Sequence, residues 1–258
     1  GSGQVTDFLA VSLSSPDYVG HRFGPNSIEV EDTYLRLDAD LGAFLKYLDK
    51  QVGKGNYTLF LTADHGVAHV PGFMLENKLP AGSWDNDFMI GDLNKKLKEK
   101  FAVEKLVLAE TNYQVYLNHT AIDSNQLDKW QVEEYVINYL NMVKGVGNAF
   151  RLRQMQQENL PNGLKEMLTN GYNKKRSGDI QIVLDPAWID GGKTGTTHGL
   201  WYPYDAHIPM LWMGWGIKQG TSNRTMYMTD IAPTLAALLH IQEPNGNLGQ
   251  VMTEVLKW

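Results

Sequence analysis

The chain has 258 residues, 43 % of them hydrophobic, enough to bury a sizeable core in one large α/β domain or two small ones. A formal net charge of −6, with 20 % charged residues and no run of Lys and Arg, argues against a nucleic-acid groove, although part of the acidity can be metal ligands. With no cysteine, a disulfide framework and a thiolate zinc site are both excluded, so any metal must be held by carboxylates and imidazoles. No apolar stretch is long enough to span a membrane, and Gly1-Ser2-Gly3 has neither the basic flank nor the apolar run of a signal peptide. Those three residues look like a cloning scar, and a strand-like segment begins directly behind them, so further sequence is expected upstream.

In chain order, the apolar run Phe8–Leu13 predicts a buried strand ending at Ser14-Ser15-Pro16-Asp17. Ile28, Leu35, Leu41, Leu45 and Leu48 mark a long amphipathic helix. Tyr57–Ala63 predicts a second strand that stops at Asp64-His65-Gly66. This order of strand, loop, helix and strand favours a parallel sheet and an α/β class. Residues 73–172 are more polar and read as an insertion or subdomain. They carry helical patterns near Leu93–Lys100 and Gln126–Lys144 and a strand near Tyr113–Leu117. Order returns with a strand over Asp179–Asp185, a Gly-rich loop from Gly191 to Gly199, a strand over Ile208–Met213 and a closing helix near Asp230–His240. In that helix Asp230 suits the N-cap and Pro233 the first turn. The expected organisation is therefore 4–72 and 173–258 as two parts of an α/β core around 73–172.

Three short patterns carry chemistry. Asp17 and His21 stand four residues apart just beyond a predicted strand, where open α/β sheets place ligands; a turn Asp with a surface His is the bland alternative. Asp64 and His65 end the next strand, with Gly66 behind them to let the chain turn, and a chance Asp-His-Gly is common enough to be weak by itself. His198 lies among small residues, Gly195-Thr196-Thr197 before it and Gly199 after it, in a loop that offers no apolar face to bury it. Asp17, His21 and His198 would make a three-ligand set with an open fourth position, the arrangement of a catalytic zinc. Asp64 and His65 would supply part of a second site, and two close divalent ions are a known device for phosphoryl transfer. His69 and His207 read as structural, with His69 a candidate for supporting the ligands and His207 for orienting its loop. Trp84, Trp201 and Trp212 read as core or pocket wall, and Lys95, Lys96, Lys98 and Lys100 as a solvated helix face. Sequons at Asn56, Asn118 and Asn223 carry little weight.

Taken together and in this order, Asp17-x-x-x-His21, Thr62-Ala63-Asp64-His65-Gly66 and Thr197-His198-Gly199 resemble the metal-ligand motifs of the alkaline phosphatase superfamily. Gly24-Pro25-Asn26-Ser27 with Asp32-Thr33-Tyr34-Leu35, Asp179-Ile180-Gln181-Ile182 and Asp230–Thr234 add to the likeness, particularly to bacterial monomeric alkaline phosphatases and type I phosphodiesterase/nucleotide pyrophosphatases. The resemblance implies a three-layer αβα fold with a mostly parallel sheet, lacking its N-terminal part. It also implies two zinc ions: Asp17, His21 and His198 hold one, and Asp64 and His65 help hold the other. The family's remaining second-site aspartate and its Ser or Thr nucleophile match no segment here, and Thr196 and Thr197 belong to the ligand loop, not to the nucleophile's helix. The implied activity is hydrolysis of a phosphate ester through a phospho-enzyme, in a parent exported to the periplasm or secreted. This chain alone is expected to be inactive, with the N-terminal half of the same protein as its partner and a small phosphate ester as substrate. A diesterase and a non-catalytic zinc-stabilised module are the alternatives.

Overall fold

The computed structural model describes residues 3–190 and 194–257, so the Gly191-Gly192-Lys193 part of the predicted Gly-rich loop lies outside the described residues. In chain order its elements are α1 (Ser15–Phe23), α2 (Ile28–Leu48), β1 (Thr58–Thr62), α3 (Pro71–Glu76), β2 (Gly82–Trp84), α4 (Asn86–Phe101), β3 (Val107–Thr111), β4 (Gln114–Leu117), α5 (His119–Ser124), α6 (Lys129–Leu140), β5 (Val146–Arg151), α7 (Asn162–Gly171), β6 (Ile180–Leu184), β7 (Trp188–Asp190), α8 (Pro203–Ala206), β8 (Met210–Gly214) and α9 (Ile231–Leu239). The chain divides into two compact units, each assembled from separated stretches: 1–16, 28–66 and 206–258 form one, 17–27 and 67–205 the other.

The second unit is built on a four-stranded antiparallel sheet of order β3-β4-β6-β5. Its β3–β4 hairpin turns through Asn112 and Tyr113, both at positive φ (52° and 60°), the backbone a two-residue turn needs to match strand twist. Helix α4 starts because the Asp85 side chain accepts the Phe88 N–H, and it buries Met89, Leu93 and Leu97, one face at four-residue spacing. Helix α6 is capped likewise by Asp128 and buries Val132, Val136 and Leu140. These faces close on Leu106, Val115, Leu117, Ile180, Ile182 and Leu184 in one continuous apolar core that also takes in Trp84. Glu133 is fully buried and receives Arg151 (2.9 Å) and Arg153 (2.6 Å), while the Arg151 guanidinium stacks 3.7 Å from the Trp130 ring centre.

In the first unit β1 pairs antiparallel with β8, Phe60 opposite Trp212 with their rings stacked at 5.0 Å. Helix α9 buries Pro233, Thr234 and Ala236. Asp230 does not cap α9 with its side chain; its carboxylate instead accepts the N–H groups of Tyr227 and Gln250, tying the turn before the helix to the C-terminal segment.

The chain is α/β, but two expectations about its sheet are corrected. Phe8–Leu13 forms no strand and is exposed along its length, and among the described residues the ladders are antiparallel apart from the short β2–β7 pair. A strand exists only when a neighbour takes up its N–H and C=O groups, and the neighbour that β1 has in this unit is β8. Helix α2 forms as expected, yet none of its residues is buried.

Candidate metal centre

Asp17 and His21 are one helical turn apart on α1, so their side chains share a face. The helix forms there because Pro16 suits a first turn, Asp17 complements the N-terminal end of the dipole and His21 with Arg22 the C-terminal end. It stops at Gly24, whose φ of 81° lets its N–H reach back to the Gly20 carbonyl at 2.8 Å. The loop through Thr196 and Thr197 then brings in His198, with its ring centre 5.1 Å from that of His21. The Asp17 carboxylate lies 3.4 Å from His21 Nε2 and 3.9 Å from His198 Nε2, and one ligand atom from each of the three residues falls within 4.8 Å of the others. Tetrahedral zinc with N and O ligands at about 2.1 Å requires ligand atoms ~3.4 Å apart, so the donor set fits such an ion with little adjustment. The three side chains keep 39 %, 35 % and 28 % of their surface exposed, which leaves room for a further ligand.

The orientation of His21 is fixed from behind. Its Nδ1 lies 2.8 Å from the Thr196 carbonyl, and because a carbonyl only accepts, Nδ1 carries a hydrogen, which leaves Nε2 on the Asp17 side as the ring's ligand atom. Thr196 returns a hydrogen bond from its own N–H to the His21 carbonyl at 3.1 Å. Gly195 permits this approach, since a Cβ there would sit 3.1 Å from that same carbonyl oxygen. The buried Thr196 hydroxyl donates to the Ala68 carbonyl at 2.6 Å, and the Ala68 N–H lies 3.4 Å from the Thr197 carbonyl.

Asp64 and His65 follow β1 in the first unit. His65 Nε2 is 3.6 Å from the Asp64 carboxylate, and its Nδ1 donates to the Gly66 carbonyl at 2.8 Å, the same use of one ring nitrogen that His21 makes. His69 donates from Nδ1 to the Asn26 amide oxygen at 2.7 Å and leans on the Phe73 ring. His207 is exposed just before β8. Sequence reasoning gave no role to Thr196, Ala68 or Asn26. A buried Thr next to a candidate ligand and an Ala contributing only backbone groups leave no signature in composition or spacing.

The profile of the type I phosphodiesterase/nucleotide pyrophosphatase family matches residues 2–204. The chain belongs to that family, within the alkaline phosphatase superfamily. It is 50 % identical over 257 residues to the alkaline phosphatase PafA of Elizabethkingia meningoseptica, covering 99 % of this chain and 47 % of the relative. It is 52 % identical over 252 residues to the alkaline phosphatase PhoV of Synechococcus elongatus, covering 98 % and 45 %. A Myroides odoratus protein named as a calcium-transporting ATPase is 51 % identical over 256 residues, covering 98 % and 47 %. A crystal structure of PafA superposes with a TM-score of 0.91 at 49 % identity, over 95 % of this chain and 47 % of that one. The chain thus has the PafA fold and spans about half the length of the curated relatives it matches.

Proposed function

We propose that this chain is the zinc-binding C-terminal part of a phosphate-ester hydrolase of the alkaline phosphatase type, acting through a Ser or Thr nucleophile carried by sequence upstream. The single observation that carries the reading is the convergence of Asp17, His21 and His198 on one point with their ligand atoms within 4.8 Å. Asp64 and His65 are read as part of the ligand set of a second zinc. When bound, the ions supply Lewis-acid stabilisation of the attacking and leaving oxygens of phosphoryl transfer. The chain's own residues supply geometry. Asp17 gives the set an anionic oxygen, His21 is held in the Nδ1–H form by Thr196, and His198 enters on a loop tied to Ala68.

The remaining half of the relatives' length is read as the partner of this chain, carrying the nucleophile and the rest of the second site. The exposed apolar run Phe8, Leu9, Val11 and Leu13 supports this, since such a run is covered in a finished fold. The substrate is read as a small phosphate monoester, and the whole protein as exported, in keeping with the alkaline phosphatases it resembles. The family match also supports a second reading, a phosphodiesterase or nucleotide pyrophosphatase built on the same ligands.

Zinc titration of the 258-residue chain tests the first step: about one equivalent should bind, and His198→Ala should abolish it. An unchanged stoichiometry and affinity in that variant would sink the assignment. In the full-length parent, rates on p-nitrophenyl phosphate against bis-p-nitrophenyl phosphate separate the two readings. The chain by itself should hydrolyse neither.

A further inference from the structure

We propose that Thr196 is a positioning residue for this site, its buried hydroxyl holding the carbonyl that sets the orientation and tautomer of the His21 ring. The proposal rests on the zinc reading above and deepens it. Three segments meet at Thr196: the C-terminal turn of α1, the segment around Ala68 and the loop that carries His198. The Thr196 backbone clasps His21 from both sides, its carbonyl accepting Nδ1–H at 2.8 Å and its N–H donating to the His21 carbonyl at 3.1 Å. Its side chain reaches the third segment, donating to the Ala68 carbonyl at 2.6 Å. Both Thr196 and Ala68 are almost completely buried, so water cannot replace that bond. The only atoms Thr196 offers His21 belong to the backbone; the hydroxyl acts by fixing where that backbone lies. Two residues on, the same loop delivers His198, so one anchor sets the positions of two imidazoles.

A carbonyl that drifts away from Nδ1 lets the His21 proton move to Nε2, and an Nε2–H imidazole cannot ligate at that atom. Valine is nearly isosteric with threonine but lacks the donor, and serine keeps the donor. In the 258-residue chain, Thr196→Val should weaken zinc affinity about 10–100-fold, as loss of a group that orients a metal ligand does, while Thr196→Ser stays close to wild type. Zinc competition against a chromophoric chelator reads this. The second readout needs no metal. Nitrogen-15 shifts of the His21 ring, assigned by their loss in His21→Gln, should report the Nδ1–H form in wild type and Thr196→Ser and a mixture of tautomers in Thr196→Val. The proposal is overturned if Thr196→Val keeps both the affinity and the single tautomer, or if Thr196→Ser loses as much as Thr196→Val. Should the wild-type chain bind no zinc, the metal reading falls, and the tautomer comparison still decides the role of Thr196.

Discussion

The two units bury their apolar residues to very different extents. In the stretch 67–205 with 17–27, helices α4 and α6 close one side of a four-stranded sheet, and Leu93, Leu97, Val115, Val136, Leu140 and Ile180 are fully inaccessible. In 1–16, 28–66 and 206–258, α2 buries nothing, β1 and β8 form a two-stranded ribbon, and Phe8 and Leu9 remain about 70 % exposed. A ribbon of two strands is marginal by itself, whereas a four-stranded sheet under two helices supports an independent core. The contrast teaches that the candidate ligands Asp17, His21 and His198 belong to the unit with the close-packed core, while Asp64 and His65 belong to the one whose apolar surface is more exposed.

The contrast can be broken most forcefully at Glu133. Replacing it by Ala leaves Arg151 and Arg153 without the carboxylate that both contact, and should cost about 3–5 kcal/mol in urea-induced unfolding of the second unit. A loss below 1 kcal/mol would mean that this interior is looser than the packing indicates. Next comes a matched pair of truncations: Leu93→Ala in the finished core should cost about 2–5 kcal/mol, and Leu35→Ala on the exposed face of α2 no more than about 0.5 kcal/mol. Equal costs would dissolve the distinction between the units.

A smaller effect comes from Glu110. It is buried and accepts hydrogen bonds from Trp84 Nε1 and the Tyr113 N–H. Burial raises its pKa above the ordinary carboxyl value, more than those hydrogen bonds lower it, and the nearby Asp190 raises it further. A raised folded value means that Glu110 favours folding most below its unfolded pKa of about 4.3, and that this contribution fades as pH rises through the folded value. As pH rises above about 4, wild type should therefore lose stability relative to Glu110→Gln, measured as the difference between urea midpoints at each pH. A difference that is flat, or that grows in favour of wild type, would show the carboxyl to be solvated. A modest change is expected for Asp85→Ala, which removes the α4 cap and should cost about 1 kcal/mol by the same measurement.

Much of this was legible before the structure. The strand periods at Tyr57–Ala63 and Asp179–Asp185 and the helical pattern near Leu93–Lys100 all produced the elements they indicate, because each is decided by residues within one or two turns of chain. Phe8–Leu13 shows where that reasoning fails. Its residues suit a strand, but a strand is a property of a pair, and no local pattern says whether the neighbour is present. The β3–β4 hairpin was half missed because Asn112-Tyr113 lacks the glycine that usually announces such a turn.

The site divides in the same way. Asp17 and His21 stand four residues apart, which on a helix puts them on one face, so local spacing brings these two candidate ligands together, and the order of the motifs points to the family. That His198, 181 positions after Asp17, comes beside these two residues is decided only in three dimensions, where the loop carrying it docks on His21 through Thr196. The physical reason is range. Side-chain periodicity propagates over a few residues, whereas the hydrogen bonds that set an imidazole's tautomer are made by whichever backbone the folded chain brings against it.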